Sequence, residues 1–280
     1  MVKAQHLFIC TIFCCFVILG YLCEDRRVKI SACIIAHNEE ANIAKALKSL
    51  EWADEIVVVD SESTDKTRDI CEKFGAKVLV QKWLGFGKQK QFAVNQCSHK
   101  WIFSLDADEE VSIELKEEIL KLKKEKELVA DGFRISRLSI YMGRPIYHCG
   151  WYPDWQLRLF NREKGKWKDV LIHESFQMKE DTKTGKIKKD ILHRSIPNPG
   201  YHSKMISERY APLAAKQMFQ NGKRSSKLKI VTVGFTTFVQ VFFLKLGFLD
   251  GFPGFCIARF AAHHAYLKHL LLWGKINSKE

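Results

Sequence analysis

From Val28 onward, apolar and polar positions follow one another in blocks that predict strands and helices in turn. Val28–Ala36 is an apolar, β-branched run, followed by a helical stretch over Glu40–Leu50. Glu55–Val59 reads as a short buried strand ending at Asp60. Thr64–Phe74 then reads as a helix closed by Gly75, a common residue just past a helix C-terminus. Lys77–Gln81, a helix over Lys88–Cys97 and the run Trp101–Leu105 continue the order. The alternation predicts an α/β fold built on a parallel sheet with helices on both faces. Ligands of such sheets bind beyond the carboxyl ends of the strands, so the polar residues that follow each strand are the candidates for chemistry.

Beyond Glu127 the regularity decays. Gly132–Tyr141 and Trp155–Asn161 predict strands, and Lys179–Lys189 reads as a charged, glycine-containing hairpin or loop. Pro197-Asn-Pro-Gly200 is the strongest breaker and an expected boundary. After it, Tyr201–Asn221 predicts a helix. Two apolar segments follow, Ile230–Leu244 and Phe252–Trp273, broken by Gly247 and by Asp250-Gly-Phe-Pro253. Lys245, Arg259, His263, His264 and Lys268 lie within or beside them, which suits interfacial or core-packed helices better than spanning ones. The expected division is an apolar N-terminal segment over 1–27, an α/β domain over 28–200 and a basic helical region over 201–280.

Leu7–Cys23 holds 17 consecutive residues without a charge. As a helix it would span roughly 26 Å, close to a bilayer's hydrocarbon thickness. A membrane anchor and an upstream extension from a misplaced start codon stay open. A secretory signal is disfavoured because no small-x-small cleavage site follows. Arg26-Arg27 would hold the C-terminal end of an anchor in the cytoplasm. The nine cysteines lack Cys-x-x-Cys spacing, and four crowd the apolar N-terminus, which fits reduced thiols rather than a disulfide framework or a zinc site.

Net charge is +13, and the last 80 residues hold twelve Lys/Arg against three Asp/Glu. Such a region could meet nucleic acid, an anionic membrane or a phosphorylated substrate. No helix-turn-helix, zinc-finger or RNA-binding motif accompanies it, so nucleic acid is not an expected partner.

The strand ends carry the candidate chemistry. Ala36-His37-Asn38-Glu39-Glu40 follows the first strand, where small and polar residues let a nucleoside approach; Asn38 and Glu39 could bind it or simply cap the next helix. Asp60, after the second strand, could accept from a base or ribose, while Asp65 suits a first helical turn. Gly85-Phe-Gly-Lys-Gln-Lys90 lacks P-loop spacing but could bring Lys88 or Lys90 to a diphosphate, or leave them solvated. Ser104-Leu-Asp-Ala-Asp108 follows the fourth strand. Two carboxylates at the end of a buried strand are costly unless neutralised, and Mg²⁺ or Mn²⁺ with substrate phosphates would do so.

Ile34–Glu40, Val57–Asp65 and Ser104–Asp108, taken in order, resemble the motifs of the family 2 glycosyltransferases of GT-A fold. Gly150-Trp-Tyr-Pro-Asp-Trp-Gln-Leu-Arg-Leu-Phe160, His173-Glu174 and Phe248-Leu-Asp-Gly-Phe-Pro-Gly254 resemble, more narrowly, the bacterial lipopolysaccharide-core β-1,4-glucosyltransferase-like group. The likeness runs from about Val28 to Trp273, leaving the N-terminal stretch outside and favouring a start-site extension. It implies inverting transfer from a UDP-sugar donor to a lipid-linked saccharide acceptor, at an anionic membrane surface on the cytoplasmic side of the inner membrane. Asp106 and Asp108 would stand at the metal and diphosphate. His173 is a further candidate metal ligand, or a structural histidine. One base suffices for inversion. Asp154, ringed by Trp151, Tyr152 and Trp155, is the first candidate, and Glu174 the second. Arg158, sharing a strand face with Gln156, could meet a phosphate or make an ordinary ion pair. Transfer to a polyprenyl phosphate or another surface glycan, and sugar-nucleotide binding without catalysis, are the competing readings.

Overall fold

The computed structural model describes residues 27–168, 175–194 and 196–277. The apolar N-terminal segment and the His173-Glu174 pair lie outside them. The chain divides into two compact units.

The first unit comprises residues 27–107, 113–134 and 157–187 among those described. Its strands β1 (Ile30–Ala36), β2 (Glu55–Asp60), β3 (Lys77–Val80) and β4 (Trp101–Asp106) are parallel, in the order β3-β2-β1-β4. β1, β2 and β4 are largely buried and read as near-continuous apolar runs rather than alternations, while β3, at the sheet edge, is partly exposed. Three helices connect them: α1 (Ile43–Ser49), α2 (Thr67–Lys73) and α3 (Phe86–Gln96). The first two start later than the pattern predicts. Asn38 sits at φ 54°, and the Ile43 amide reaches back to the Glu39 carbonyl, so residues 39–42 form a turn. Ahead of α2, the Asp65 carboxylate accepts from the Thr67 amide and hydroxyl and holds a second turn open.

After β4 the chain passes through the short strand β5 (Glu109–Val111) to α4 (Ile113–Lys124) and the long β6 (Gly132–Tyr141). The two-residue β7 (Arg144–Pro145) is followed by β8 (Asp154–Asn161), whose second half runs antiparallel to β4, pairing Trp101 with Asn161 and Phe103 with Leu159. The sheet is therefore mixed rather than wholly parallel. β9 (Gly165–Trp167) and β10 (Phe176–Met178) form an antiparallel pair beside it. Val57, Val59, Ala93, Val94, Ile102, Phe160, Trp167 and Phe176 make one buried cluster.

The second unit comprises residues 108–112, 135–156 and 188–277. Here β5 pairs antiparallel with the end of β11 (Thr184–His193), setting Glu109 opposite His193 and Val111 opposite Ile191. Of the segment expected to be a hairpin or loop, residues 184–189 open a ten-residue strand. Its buried Ile187 and Ile191 are outnumbered by lysines, which mask the alternation. β7 folds back on β6 across Met142-Gly143, both at positive φ.

Residues Pro199–Gln220 are helical throughout, as α5 (Pro199–Lys204), a wider π-helical stretch Met205–Tyr210 and α6 (Ala211–Gln220). The Asn198 side chain caps the start by accepting from the Tyr201 amide at 2.8 Å. α7 (Lys227–Val239) continues in π-turns to Leu244, and α8 runs from Gly251 to Asn277. Tyr141, Ile146, Cys149, Val241, Ile257 and Ala258 form the unit's buried cluster. Leu228, Val231 and Phe235, spaced three and four apart on one side of α7, face outward, as do Leu244, Leu249 and Phe252. Among the described residues, Lys227–Leu244 is the one stretch long and apolar enough to cross a membrane. The five described cysteines are free thiols, four of them buried.

Candidate active site

In the first unit the parallel register brings three strand ends together. Ala36 lies opposite Asp60, and Ile35 opposite both Val59 and Asp106. β1 sends its connection toward β2 on one side, while β4 lies on the other. This reversal of strand order is where ligands of doubly wound sheets bind.

Asp106 meets two cations there. Lys90 Nζ stands 2.8 Å from one carboxylate oxygen and Arg158 donates to the other at 2.8 Å. The side chains of Lys90 and Arg158 are only 7% and 4% exposed, against 25% for Asp106. Burial works to raise the Asp106 pKa, but Arg158 and Lys90 together outweigh it and hold the carboxyl well below its usual range. Lys90 also lies 4.9 Å from the centre of the Trp167 ring. Arg158 makes the ion pair that was one of its two expected roles, whereas Lys90, expected to meet a diphosphate or to be solvated, is buried against the Asp106 carboxylate.

The loops after β1 and β2 are tied to each other. Asn38 Oδ1 accepts from the Thr64 amide at 2.8 Å, and the Asn38 amide donates to Ser63 Oγ at 2.9 Å. The Glu39 amide donates to Thr67 Oγ1, and its carboxylate accepts from Asn42. Asp60 is fully buried. Its Oδ2 accepts from the Ser63 amide at 2.9 Å, while Oδ1 has no hydrogen-bond partner among the described residues. An enclosed acceptor without a donor is a costly arrangement. Buried Gln89 on α3 donates to Ser61 Oγ and the Gln81 carbonyl, fixing the loop after β2 from below. Lys88, one residue earlier, is on the exposed side of α3.

The second unit carries the other candidates. Asp108 Oδ2 lies 3.2 Å from His193 Nε2, and the Asp108 carbonyl accepts from the Arg194 amide. Asp154 is held by Arg137, whose Nε and second guanidinium nitrogen approach one carboxylate oxygen at 2.8 and 2.6 Å. Gln156 donates to the other oxygen at 2.7 Å. Arg137 also reaches buried Glu109 at 3.4 Å. Trp151, half-buried, packs edge-on against Tyr141 and near His202, at the margin of the unit's core cluster. Tyr152 instead pairs edge-on with exposed Tyr147 and donates to Asp190 at 3.2 Å.

Residues 31–184 match the family described as Glycosyl transferase family 2. The chain belongs to that family. It is a glycosyltransferase of GT-A fold with a helical C-terminal region. A protein of Rickettsia typhi named uncharacterized glycosyltransferase is 33% identical over 251 residues, covering 81% of this chain and 80% of its own. The lipopolysaccharide core biosynthesis glycosyltransferase LpsC of Rhizobium meliloti is 30% identical over 252 residues, or 86% of this chain and 90% of the relative. Among solved structures, S. aureus TarS 1-349 covers 88% of this chain and 89% of its own at 16% identity, with a TM-score of 0.44.

Within this glycosyltransferase the sequence pattern passes over four residues that the structure brings to the candidates. Arg137 reads as an ordinary strand residue, and Gln89 sits between two more conspicuous lysines. Trp167 lies in a strand too short to show alternation. His193 closes a strand hidden by lysines; the signal that could have exposed it is the pair of isoleucines four apart in Ile187–Ile191. Among the described residues no group of three or more His, Cys, Asp or Glu side chains is gathered to hold a metal. Asp108 with His193 nevertheless fits a Mg²⁺ or Mn²⁺ site of the kind that takes one or two protein ligands and completes its shell with phosphate oxygens and water.

Proposed function

We propose that this glycosyltransferase transfers a hexose, glucose in the first instance, from a UDP-sugar to the inner core of a lipopolysaccharide or lipooligosaccharide. Transfer inverts the anomeric centre and takes place at the cytoplasmic face of the inner membrane. The observation that carries this reading is the likeness to LpsC along almost the whole chain. Asp60 Oδ1 supports a uridine donor, since the uracil N–H would supply the missing donor. Ala36, Asn38 and Glu39 line the same strand ends and would contact the nucleoside.

Asp108 and His193 would hold Mn²⁺ or Mg²⁺, which supplies Lewis acidity toward the departing diphosphate. Asp106, kept ionised by Lys90 and Arg158, sets the charge at the end of β4, and Lys88 extends toward the donor phosphates. The acceptor hydroxyl oxygen forms its bond to the anomeric carbon as the bond to the β-phosphate oxygen breaks, and UDP leaves. A carboxylate takes the hydroxyl proton. Asp154 remains the first candidate, although both its oxygens already accept hydrogen bonds, and Glu174 the second.

The test is UDP release by the purified protein with UDP-glucose, UDP-galactose or UDP-GlcNAc, in Mn²⁺, Mg²⁺ or EDTA, with and without a heptose-containing core acceptor. Acceptor-stimulated release from one donor, lost in EDTA and in Asp108→Ala, is the expected result. Binding of UDP without release from any donor would sink the transferase reading of this acceptor.

A further inference from the structure

The helical residues of the second unit border an open, shallow cavity of about 610 Å³. Its wall is built from two parts of the chain, one between Ala214 and Lys229 and the other at Lys268 and His269. Gln217 comes from α6, Lys223 and Arg224 from the turn after it, Lys229 from the start of α7, and Lys268 and His269 from the second half of α8. No Asp or Glu lines it. Among the described residues, none of Lys223, Arg224, Lys229 or Lys268 has a carboxylate within ion-pair distance. Ser225 and His269 share a hydrogen bond of 3.2 Å, which ties the turn to α8. Burial lowers the His269 pKa, and the charges of Lys268 and Lys229 lower it further, so these groups feel one another.

Four like charges gathered around one cavity repel each other, and an anion placed among them reverses the sign of that energy. A guanidinium, three ammonium groups and an amide together form a donor set for phosphate oxygens. The same stretch of α7 turns Leu228, Val231 and Phe235 outward, starting next to Lys229. An amphipathic surface with cations beside outward apolar side chains is what a helix lying in an anionic lipid interface presents.

We propose that this cavity binds a phosphate ester, and that the ester is the headgroup phosphate of an anionic membrane lipid. Lys223, Arg224, Lys229 and Lys268 take the phosphate while Leu228, Val231 and Phe235 enter the acyl boundary. The role assigned to the cavity is binding alone.

The full-length protein is tested by co-sedimentation with vesicles of phosphatidylcholine alone or with about one third phosphatidylglycerol. The triple variant Lys223→Gln/Arg224→Gln/Lys229→Gln is compared with Lys45→Gln/Lys48→Gln/Lys73→Gln, which removes the same charge from exposed positions in the first unit. The cavity variant should lose about tenfold or more in partition to anionic vesicles, and the control about twofold or less. Lys268→Gln alone, on another helix, should move the same way by a smaller factor. In a second arm, inorganic phosphate should raise the thermal midpoint of the parent more than chloride at equal ionic strength, and should leave the cavity variant unmoved. A phosphate response without any dependence of vesicle binding on the cavity would keep the site and overturn the lipid as its source. Equal losses in the two triple variants, or no phosphate response in either arm, would overturn the site itself. Both readouts are binding alone, so failure here leaves the donor reading untouched, and the reverse.

Discussion

The two units treat positive charge in opposite ways. In the first, each strongly buried cation has a carboxylate: Lys90 and Arg158 share Asp106, and Lys123 stands 2.7 Å from Asp54. In the helical part of the second, Lys223, Arg224, Lys229 and Lys268 converge on a cavity with none. Compensated charge at a strand end is a fixed scaffold, because removing either partner strands the other in low dielectric. Uncompensated charge on an open wall costs little in water and leaves a place for a ligand. The same residue types are therefore paired at the strand end of the first unit, as Arg137 is in the second, and left without a carboxylate around the cavity.

The contrast can be broken most directly at the Asp-x-Asp pair. Asp106→Ala removes the carboxylate shared by two buried cations and should cost about 3 kcal/mol or more in urea unfolding, with loss of transfer. If its unfolding midpoint matched the parent's, the compensation argument would be wrong. Asp108→Ala removes an equally exposed carboxylate whose partner is His193 rather than two buried cations; transfer should fall about a hundredfold or more while stability stays within about 1 kcal/mol.

A third measurement sharpens the picture within the second unit. Burial pushes the His202 imidazole down to about 4, so it stays neutral in the folded chain where the unfolded chain takes up a proton. Stability is then fully present above the ordinary histidine pKa and declines as pH falls toward 4, with a slope of at most about 1.4 kcal/mol per pH unit. His202→Phe should flatten that slope in denaturation curves collected between pH 4 and 7, whatever it does to the baseline. The smallest effect is expected at Phe235→Ser. An outward aromatic that is 73% exposed should change stability by no more than about 0.5 kcal/mol, yet weaken partition to anionic vesicles.

Much of the first unit is legible in the sequence because parallel strands buried on both faces read as unbroken apolar runs, and their ends can be located by inspection. Asp60, Asp106 and the small residue Ala36 stand out for that reason. What those ends do is less legible. Whether Lys90 is solvated or paired depends on α3 burying that side of its surface, which residues 85–90 do not announce. His193 and Arg137 are hidden for another reason. They lie on antiparallel strands with one solvated face, where lysines between Ile187 and Ile191 disguise a period of two. The cavity in the second unit is legible only in part. An excess of basic residues is plain in the last 80 positions, but the meeting of Lys229 with Lys268 is made by helix packing across nearly forty residues of chain.

The segment Gly247–Gly254 shows how unevenly a short stretch can accept change. A Cβ at Gly247 would come within 2.8 Å of the Val241 carbonyl oxygen, and one at Gly254 would overlap the Gly247 carbonyl itself. Between them, Asp250 accepts from the amides of Tyr147 and His148 and faces His148 Nδ1 at 2.9 Å. Phe248, Leu249 and Phe252 point outward. In a library randomised over these eight positions, survivors would form a comb: Gly247, Asp250, Gly251 (held at φ 67°) and Gly254 returned as fixed teeth, with wide variety at the exposed positions between them. A fusion or tag inserted anywhere in the stretch would meet the teeth.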